Sequence, residues 1–453
     1  MTKTTIAVLL AMAAHGWAYQ KPARTTVLDD VKLIDGTNRR PVTHARIVIE
    51  GDRIQAILPA AAHKMFPRGA RILRLSGKTA IPGLINAHGH LGMTEGANAG
   101  GENYTEPNIE RQLQQYERYG VTAVLSLGLN RDLLYGLRDR QRHGQFPGAT
   151  ILTADRGIGA PGGVPGFKLA PDQLYRPESP EEARRDVREM AGRHPNFVKL
   201  WVDDNLGKVP KMKPAVYQAA IDEAHKRGLK VAAHVYYLDD AKKLVRDGVD
   251  VLAHSIRDKP VDDELIRLMK QHGTYYIPTL QLEEAFFIYS DKAPWMKTAF
   301  FQDALNPDLR AQFDSSAWAG KIERDPSTPI HRAALEQAKQ NVKRLADAGI
   351  PIGFGTDSGA FPVRIQGFAE HRELYQMVSS GLSPLDAIRS ATGVNARMLG
   401  IEANTGTIEP GKEADLLILN GDPEMAIQNT TRIAAVWHRG AEVTAEKTPG
   451  AAW

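Results

Sequence analysis

The stretch Ile81-Pro-Gly-Leu-Ile-Asn-Ala-His-Gly-His90 is a short apolar run that ends in two histidines. Side chains two residues apart in a β-strand point to the same face, so His88 and His90 are able to bind one metal ion together. A His-x-His pair alone is weak support for a metal site, because a histidine at a strand end often serves only as a hydrogen-bonding group. Whether this pair binds a metal ion therefore depends on which residues lie at the ends of the other predicted strands.

Apolar runs alternate with helical patterns through the middle of the chain, which is typical of parallel βα units. These runs begin at Ile81, Val121, Thr150, Phe197, Lys230, Val251, Tyr275 and Pro351. Eight parallel strands are what a closed TIM-like barrel needs. We therefore predict an α/β fold with a (β/α)8 barrel over residues 83–400.

The two ends of the chain have a different pattern, with short β-rich runs separated by turn residues such as Asp35-Gly36 and Gly51-Asp52. These runs cover residues 31–35, 45–50, 53–58, 414–419 and 433–438. They predict a small antiparallel sheet to which both ends contribute. We assign residues 25–82 and 401–446 to one discontinuous β-sandwich domain.

Polar residues end four further predicted strands: Lys199, His234, His254 and Asp357. Each of them alone could be structural, and His254 is as well explained by a structural role as by metal binding. Active sites of barrel enzymes lie at the rim formed by the strand ends, so six such residues together indicate a site there. His371, on a predicted helix after the last strand, is interpreted as structural or as a support for a site residue.

These motifs resemble the amidohydrolase superfamily, in particular its imidazolonepropionase-like and prolidase-like branch. The resemblance rests on Ile81-Pro-Gly-Leu-Ile-Asn-Ala-His-Gly-His, Val198-Lys-Leu-Trp, Ala233-His, Ala253-His-Ser and Gly355-Thr-Asp-Ser-Gly. It covers nearly all of the chain after the N-terminal segment, and the first motif combined with the last is quite specific. It implies a metal-dependent hydrolase of carbon–nitrogen bonds and leaves the substrate open.

The resemblance also implies a role for each strand-end residue. His88, His90 and Asp357 would bind the more buried of two divalent metal ions, for which zinc is the usual identity, and His234 and His254 would bind the other. A metal-bridging hydroxide would attack the substrate. Asp357 would take the proton of that water and later pass it to the leaving nitrogen.

Lys199 would bridge both ions as a carbamate formed with carbon dioxide, according to the same resemblance. An unmodified lysine with a pKa of about 10.4 would bring positive charge to two cations, whereas carboxylation makes it an anionic oxygen ligand. The alternative is a lysine that points to solvent. Val198 and Leu200 flank it, so the pleat places Lys199 opposite two apolar neighbours, which favours the bridging role.

Two residues just beyond strand ends are candidates for substrate binding: Tyr236, after His234, and Arg257, after His254. In the prolidase-like branch, tyrosine and arginine groups commonly bind a free substrate carboxylate, and an arginine suits that geometry. A surface salt bridge explains Arg257 equally well.

Most connections between the predicted strands and helices are short, but residues 157–166 and 283–329 form two long ones. Long loops of this kind are often functional lids. The second is rich in aromatic residues: Phe286, Phe287, Tyr289, Trp295, Phe300, Phe301, Phe313 and Trp318. They could line an apolar pocket, pack extra helices onto the barrel or form a subunit contact. Packing is the ordinary role of such residues and is favoured for most of them.

The leading hypothesis is hydrolysis of an amide C–N bond in a dipeptide, an N-acyl amino acid or a cyclic amide. A mononuclear deaminase is the second reading, although such sites lack a bridging lysine. Esterase, lactonase or phosphotriesterase chemistry is the third, because a fold does not determine function. A non-catalytic binding barrel ranks last, since it would be expected to have lost at least one ligand.

The N-terminus combines Lys3, an apolar stretch over residues 6–14 and small residues around Trp17, which is the pattern of a secretory signal peptide over residues 1–18. No later apolar run is long enough to cross a bilayer. A net charge of +4 without a basic block does not support nucleic-acid binding, and the absence of cysteine excludes thiolate ligands. We expect a periplasmic or secreted enzyme acting on a small molecule or dipeptide, with a homo-oligomer left open.

Overall fold

The computed structural model describes residues 25–62 and 65–443. The predicted signal peptide and residues 63–64 and 444–446 of the predicted β-sandwich domain lie outside these residues. Within the described part of the chain, no helix combines the length and the apolar character that crossing a membrane requires.

Most described strands belong to one of three larger sheets. They are β1 (Thr25–Leu33), β2 (Val42–Glu50), β3 (Arg53–Pro59), β4 (Arg71–Arg74), β5 (Thr79–Pro82), β6 (Leu84–Gly89), β7 (Thr94–Glu95), β8 (Asn98–Ala99), β9 (Val121–Ser126), β10 (Thr150–Thr153), β11 (Phe197–Trp201), β12 (Lys230–His234), β13 (Val251–Ala253), β14 (Tyr275–Ile277), β15 (Leu416–Leu419), β16 (Ile433–His438) and β17 (Ala441–Glu442).

Helices alternate with the strands of the middle region and then cluster after β14. They are α1 (Glu106–Arg118), α2 (Leu133–Arg142), α3 (Pro180–Gly192), α4 (Pro214–Lys226), α5 (Leu238–Arg246), α6 (Asp263–His272), α7 (Leu280–Glu284), α8 (Ala299–Gln302), α9 (Pro307–Asp314), α10 (Ser316–Arg324), α11 (Thr328–Asp347), α12 (Phe368–Ser379), α13 (Pro384–Arg389) and α14 (Asn395–Leu399).

Strands from both ends of the chain pair in one sheet, in the order β17-β16-β15-β5-β1-β2-β3, with β4 beside β1. The two ends meet where Leu417 of β15 lies opposite Ile81 of β5. The predicted pairing was antiparallel, but β1 pairs in parallel with both β4 and β5. The chain returns through a connection before β4 rather than through a tight hairpin, which allows parallel pairing. The two-layer sandwich and the domain boundaries stay predictions.

Two parallel sheets form the middle of the protein, in the orders β10-β9-β6 and β11-β12-β13-β14. A row of buried residues crosses the second sheet: Leu200 lies opposite Ala233, Ala233 opposite Leu252, and Leu252 opposite Tyr276. With helices between successive strands, this is the mixed α/β architecture that the alternation predicts.

Isolated pairings join the edges of these two sheets. Ile158, just after β10, pairs in parallel with Leu200 of β11. At the other edge, Tyr276 of β14 pairs with Ile352, and Gly89 of β6 pairs with Ser358. The segment 352–358 therefore lies between β14 and β6.

The seventh and eighth predicted runs are less regular than expected. β14 ends at Ile277 because Pro278 has no amide hydrogen and Thr279 adopts a left-handed conformation with φ of 47°. The run from Pro351 forms no continuous strand but passes very close to β6. At Gly355, an added Cβ would lie 2.5 Å from Cβ of His88, so only glycine allows this approach.

The aromatic segment 283–329 is mostly helical, and most of its aromatic side chains are buried. Five of its eight aromatic residues are buried: Phe287, Tyr289, Phe300, Phe301 and Phe313. Tyr289, for example, stacks on Phe313 with ring centroids 4.4 Å apart. The packing role is confirmed for these residues, whereas Phe286 is half-buried and lies at a cavity described below.

Candidate metal centre and its cavity

The end of β6 brings His88 and His90 to Asp357, which follows the irregular eighth run. Their Nε2 atoms lie 3.2 and 2.9 Å from the same oxygen, Oδ1 of Asp357. All three residues are buried, and their ligand atoms lie within 4.8 Å of one another. The pleat thus places both histidines on one face, as the spacing predicts.

This donor set fits a divalent metal ion. Two imidazoles and a carboxylate are ligands that zinc prefers. Nδ1 of His88 and Nδ1 of His90 are buried and without a hydrogen-bond partner among the described residues, so the rings make their close polar contacts through Nε2. Burial, with the charge of Lys199, holds the pKa of His88 well below its ordinary value, which favours the neutral imidazole that binds metals.

Lys199, His234 and His254 lie beside this cluster. Nζ of Lys199 is 3.4 Å from Nε2 of His88, and the residue is fully buried. The ring of His254 is close to two other histidine rings, 4.4 Å from that of His88 and 4.3 Å from that of His234. All six residues predicted from the strand ends therefore gather in one place.

Burial lowers the pKa of Lys199 to about 7, against an ordinary value near 10.5. A larger fraction of the side chain is then the neutral amine, the form that reacts with carbon dioxide. The alternative of a solvent-facing lysine is wrong, because the residue is fully buried.

Two site residues have unusual backbone conformations. Asp357 has φ of 58° and His254 has φ of 78°, and neither is glycine. The amide of Asp357 donates a hydrogen bond of 2.6 Å to the carbonyl of His88. Such conformations cost energy and persist where the surrounding structure holds them, often at functional sites.

Asp203 was not predicted from the sequence. It lies two residues beyond the end of β11, and its Oδ2 is 2.8 Å from Nε2 of His234. The signal was present in Asp203-Asp204, which directly follows a strand that carries a candidate ligand. A carboxylate on this nitrogen orients the ring or competes with a metal ion for it.

Glu370 of α12 was also missed, and it connects the two segments that carry His88, His90 and Asp357. Oε1 of Glu370 accepts hydrogen bonds of 2.7 Å from Nδ2 of Asn86 on β6, from Oγ1 of Thr356 and from Oγ of Ser358. Oε2 accepts one of 2.7 Å from the amide of Gly367. A buried carboxylate with four donors holds both segments in register.

His371, next to it on α12, is structural. Its Nε2 lies 2.8 Å from the carbonyl oxygen of Tyr119, and its Nδ1 lies 3.0 Å from Oγ1 of Thr430. It contacts none of the six site residues in these interactions, in agreement with the prediction.

The six-residue cluster opens into a cavity of about 440 Å³. Its wall includes Tyr236, Arg257, Glu283, His331 and Arg364. The volume suits a ligand of the size of a dipeptide or another small molecule.

Both predicted substrate-binding residues lie in this wall. The guanidinium of Arg257 lies over the ring of Tyr236, 4.8 Å from its centroid. Its Nη1 donates a hydrogen bond of 2.7 Å to Glu283, whose other oxygen is 2.6 Å from Nδ1 of His331. Arg257 therefore does form a salt bridge, as the alternative predicted, but the salt bridge is not at the surface, because Arg257 and Glu283 are both buried. Burial would raise the pKa of Glu283, but Arg257 and His331 hold it below its ordinary value.

Arg364 is a second wall arginine, and nothing in the sequence marked it. It is buried and pairs with Oδ2 of Asp357, the oxygen that does not face the histidines. Its Nε has no hydrogen-bond partner in the described structure. A cation thus lies directly beside the predicted proton-transferring carboxylate.

The amidohydrolase family matches residues 79–443 of the chain. An uncharacterized protein of Mycobacterium tuberculosis is 27% identical over 355 residues, which cover 76% of this chain and 79% of that protein. The imidazolonepropionase of Streptomyces griseus is 23% identical over 443 residues, which cover 92% of this chain and 97% of the enzyme.

Solved structures are similar over almost the whole chain. A provisionally named prolidase from Bifidobacterium longum has a TM-score of 0.74 and 26% identity, covering 95% of this chain and 96% of its own. A Xaa-Pro dipeptidase solved with bound methionine in its active site has a TM-score of 0.73 and 24% identity, covering 93% of this chain and 100% of its own. Because its identity is low, the second likeness speaks for the fold alone.

Proposed function

Because the chain belongs to the amidohydrolase family and is a hydrolase of carbon–nitrogen bonds, we propose that it is an exported, dinuclear metal-dependent enzyme that cleaves amides. The observation that carries this proposal is the gathering of Lys199 with four histidines and Asp357 in one buried cluster, with Nζ of Lys199 only 3.4 Å from His88. Dipeptides, N-acyl amino acids and cyclic amides are the proposed substrates.

The same proposal includes a closed (β/α)8 barrel as the scaffold. It is supported by the isolated pairings that join the two parallel sheets at both edges, through Ile158 and Leu200 on one side and through Gly89 and Ser358 on the other. A closed barrel places the ends of its strands around one rim, which is where the six residues would meet.

His88, His90 and Asp357 would hold one divalent ion, and His234 and His254 the other, with a carboxylated Lys199 shared between them. Zinc is the proposed metal, because imidazole and carboxylate donors suit it. Bound there, the ions would supply an activated water near neutral pH and polarise the scissile carbonyl. Asp357 would accept the proton of the attacking water and deliver it to the leaving nitrogen, while Tyr236 and Arg257 would orient the substrate.

A mononuclear deaminase is the second candidate, since a deaminase of Shouchella clausii is 22% identical over 426 residues. The buried Lys199 favours the dinuclear hydrolase, because an unmodified lysine would bring positive charge next to a metal ion, whereas a carboxylated one would supply an anionic ligand to two ions. Ester or phosphotriester substrates would use the same residues and are tested as alternatives.

Metal analysis of the purified protein tests the dinuclear centre. We expect about two divalent ions per chain and loss of bound metal in Lys199→Ala, because the bridging ligand is removed. Lys230→Ala is the matched control, since this exposed lysine lies on the adjacent strand β12. A wild-type protein that holds one ion, and keeps it in Lys199→Ala, would contradict the proposal.

A hydrolysis panel of dipeptides, N-acyl amino acids and cyclic amides, with ester controls, tests the reaction. Because esters are intrinsically more reactive than amides, only turnover of esters without turnover of any matched amide would move the assignment to the alternative. Export is tested separately by N-terminal sequencing of the protein from the extracytoplasmic fraction, which we expect to begin after Ala18. Recovery of the uncleaved chain in the cytoplasm would contradict export.

A further inference from the structure

The mouth of the cavity is mainly apolar, although the exposed Asn205 also lines it, whereas its base is polar. Among the described residues, eight large apolar side chains are exposed, and three of them line this one cavity: Leu206, Ile330 and Phe361. Their exposed fractions are 44%, 45% and 36%, whereas Asp357 at the base is 6% exposed. Exposed apolar groups that cluster at one opening often mark a binding groove.

Two more aromatic rings extend this surface into the cavity. The ring centroids of Phe167 and Phe286 lie 4.8 and 5.9 Å, respectively, from that of Phe361. We call the five residues Leu206, Ile330, Phe361, Phe167 and Phe286 the apolar rim. They come from five separate segments of the chain, so no local sequence pattern brings them together.

The rim is continuous with the candidate metal centre. Phe361 lies four residues after Asp357, and its ring is 4.8 Å from the guanidinium carbon of Arg364, which pairs with Asp357. If the bond that reacts lies at Asp357, a substituent that extends a few atoms away from that bond is therefore able to contact the rim. Burying an apolar group there is favourable, because rim surface now exposed to water would be covered.

We propose that the apolar rim binds a large apolar substituent of the substrate, so that the enzyme selects amides that carry an aromatic ring or a chain of several carbons over amides with only small or polar groups. This inference rests on the proposed amide hydrolysis. It identifies the preferred substrates as amphipathic amides, with N-acyl amino acids of bulky acyl groups or bulky side chains as the test class.

The test is a series of N-acyl amino acids that differ only in apolar size, from N-acetylalanine to N-hexanoylalanine, N-benzoylalanine and N-acetylphenylalanine. We expect kcat/KM to rise by at least about tenfold from the smallest member to the best bulky one, since each buried methylene contributes about fourfold. Phe361→Ala should reduce this ratio by about tenfold. Leu133→Ala is the matched control, because Leu133 is 37% exposed but lies outside the cavity wall.

Direct binding separates failure of the rim from failure of the amide reaction. Calorimetric titration of the metal-loaded protein with analogues of N-acetylalanine and N-benzoylalanine in which CH2 replaces the amide N–H measures the same preference without turnover, because these ketones have no amide bond to cleave. Tighter binding of the benzoyl analogue that is lost in Phe361→Ala, but not in Leu133→Ala, supports the rim even if the amides themselves are not hydrolysed. Equal binding and equal kcat/KM across the series would overturn the proposal. If Phe361→Ala instead changes the oligomeric state in light scattering, the rim is a contact between copies and the proposal is also overturned.

Discussion

At the scale of single residues, Asp357 has two different neighbourhoods. Oδ1 lies close to the imidazoles of His88 and His90, whereas Oδ2 accepts a hydrogen bond from Arg364. Arg257, the other wall arginine, pairs instead with Glu283, a residue outside the candidate ligand set. The two arginines therefore differ in what their removal would disturb.

Exchange of each arginine for methionine separates substrate binding from support of Asp357. For Arg257→Met, we expect KM for free-acid substrates to rise about tenfold or more, with their carboxamides spared, because a charge-assisted hydrogen bond is lost. For Arg364→Met, we expect kcat to fall for acids and amides alike, because Asp357 loses its partner. Steady-state kinetics on matched acid and amide pairs measures both. Equal loss on acids and amides in Arg257→Met would remove Arg257 from the substrate site.

At the scale of elements, α12 acts on the site from behind the strand ends. Glu370 holds β6 and the segment 356–358 together, while Glu373, one turn along, accepts hydrogen bonds of 2.9 and 2.7 Å from the amides of Leu280 and Gln281 at the start of α7. Both carboxylates are fully buried. One helix thus positions two different neighbours through two similar side chains.

Glu370→Gln should weaken metal binding. An NH2 group in place of Oε2 cannot accept the hydrogen bond from the N–H of Gly367, and the resulting shift would disturb the segments that carry the ligands. Loss of such a supporting interaction typically lowers metal affinity by about 10- to 100-fold. Glu373→Gln is the matched control and should lower thermal stability without changing metal affinity. Competition with a chelating dye measures the affinity. The same affinity in both variants would exclude a positioning role for Glu370.

At the scale of the whole molecule, the sheet made from both chain ends is tied to the central region by His438. Its Nδ1 lies 2.5 Å from a carboxylate oxygen of Glu117 on α1, and its Nε2 lies 3.1 Å from Oγ1 of Thr150 on β10. Burial alone would lower the pKa of His438, but the hydrogen bond with Glu117 and the charge of Asp415 raise it above its ordinary value.

This contact predicts a pH-dependent contribution to stability. A group whose folded-state pKa is raised contributes stability that is complete below the unfolded pKa, near 6.5, and is lost as pH rises through the folded value. We expect His438→Gln to lower the free energy of unfolding by about 1.5–3 kcal/mol near pH 6, and by less at pH 9. Denaturant titration at both pH values measures the difference.

The control for this prediction is His225→Gln, which removes a 2.9 Å contact with Asp250 between half-exposed side chains. Exposed ion pairs contribute little, about 0–1 kcal/mol. A loss in His438→Gln that is equal at pH 6 and pH 9 would show that the contact stabilises the protein only as a neutral hydrogen bond.

The alternation of apolar runs with helices predicts the α/β architecture because strand and helix periodicities are local properties of the chain. The spacing of His88 and His90 places both on one face for the same reason. The run from Pro351 is less predictable, since Gly355 allows a close approach to β6 that replaces regular pairing. Glu283 was missed because a buried charge is recognised only through its partner, and Arg257 lies on a different segment of the chain. Arg364 is close to Asp357 in sequence, but the two lie in an irregular segment with no periodicity to indicate which side chains meet.

The sequence by itself therefore determined the family, the mixed architecture and the six strand-end residues that could hold metal ions, since these follow from local motifs and from the rule that strand ends share one edge. Only the tertiary structure decided which polar groups support them, that Arg257 is paired with Glu283, that Arg364 lies beside Asp357, and that five distant segments build the apolar rim. The physical reason is that ion pairs and cavities are made by residues brought together in folding, and no local pattern encodes their proximity.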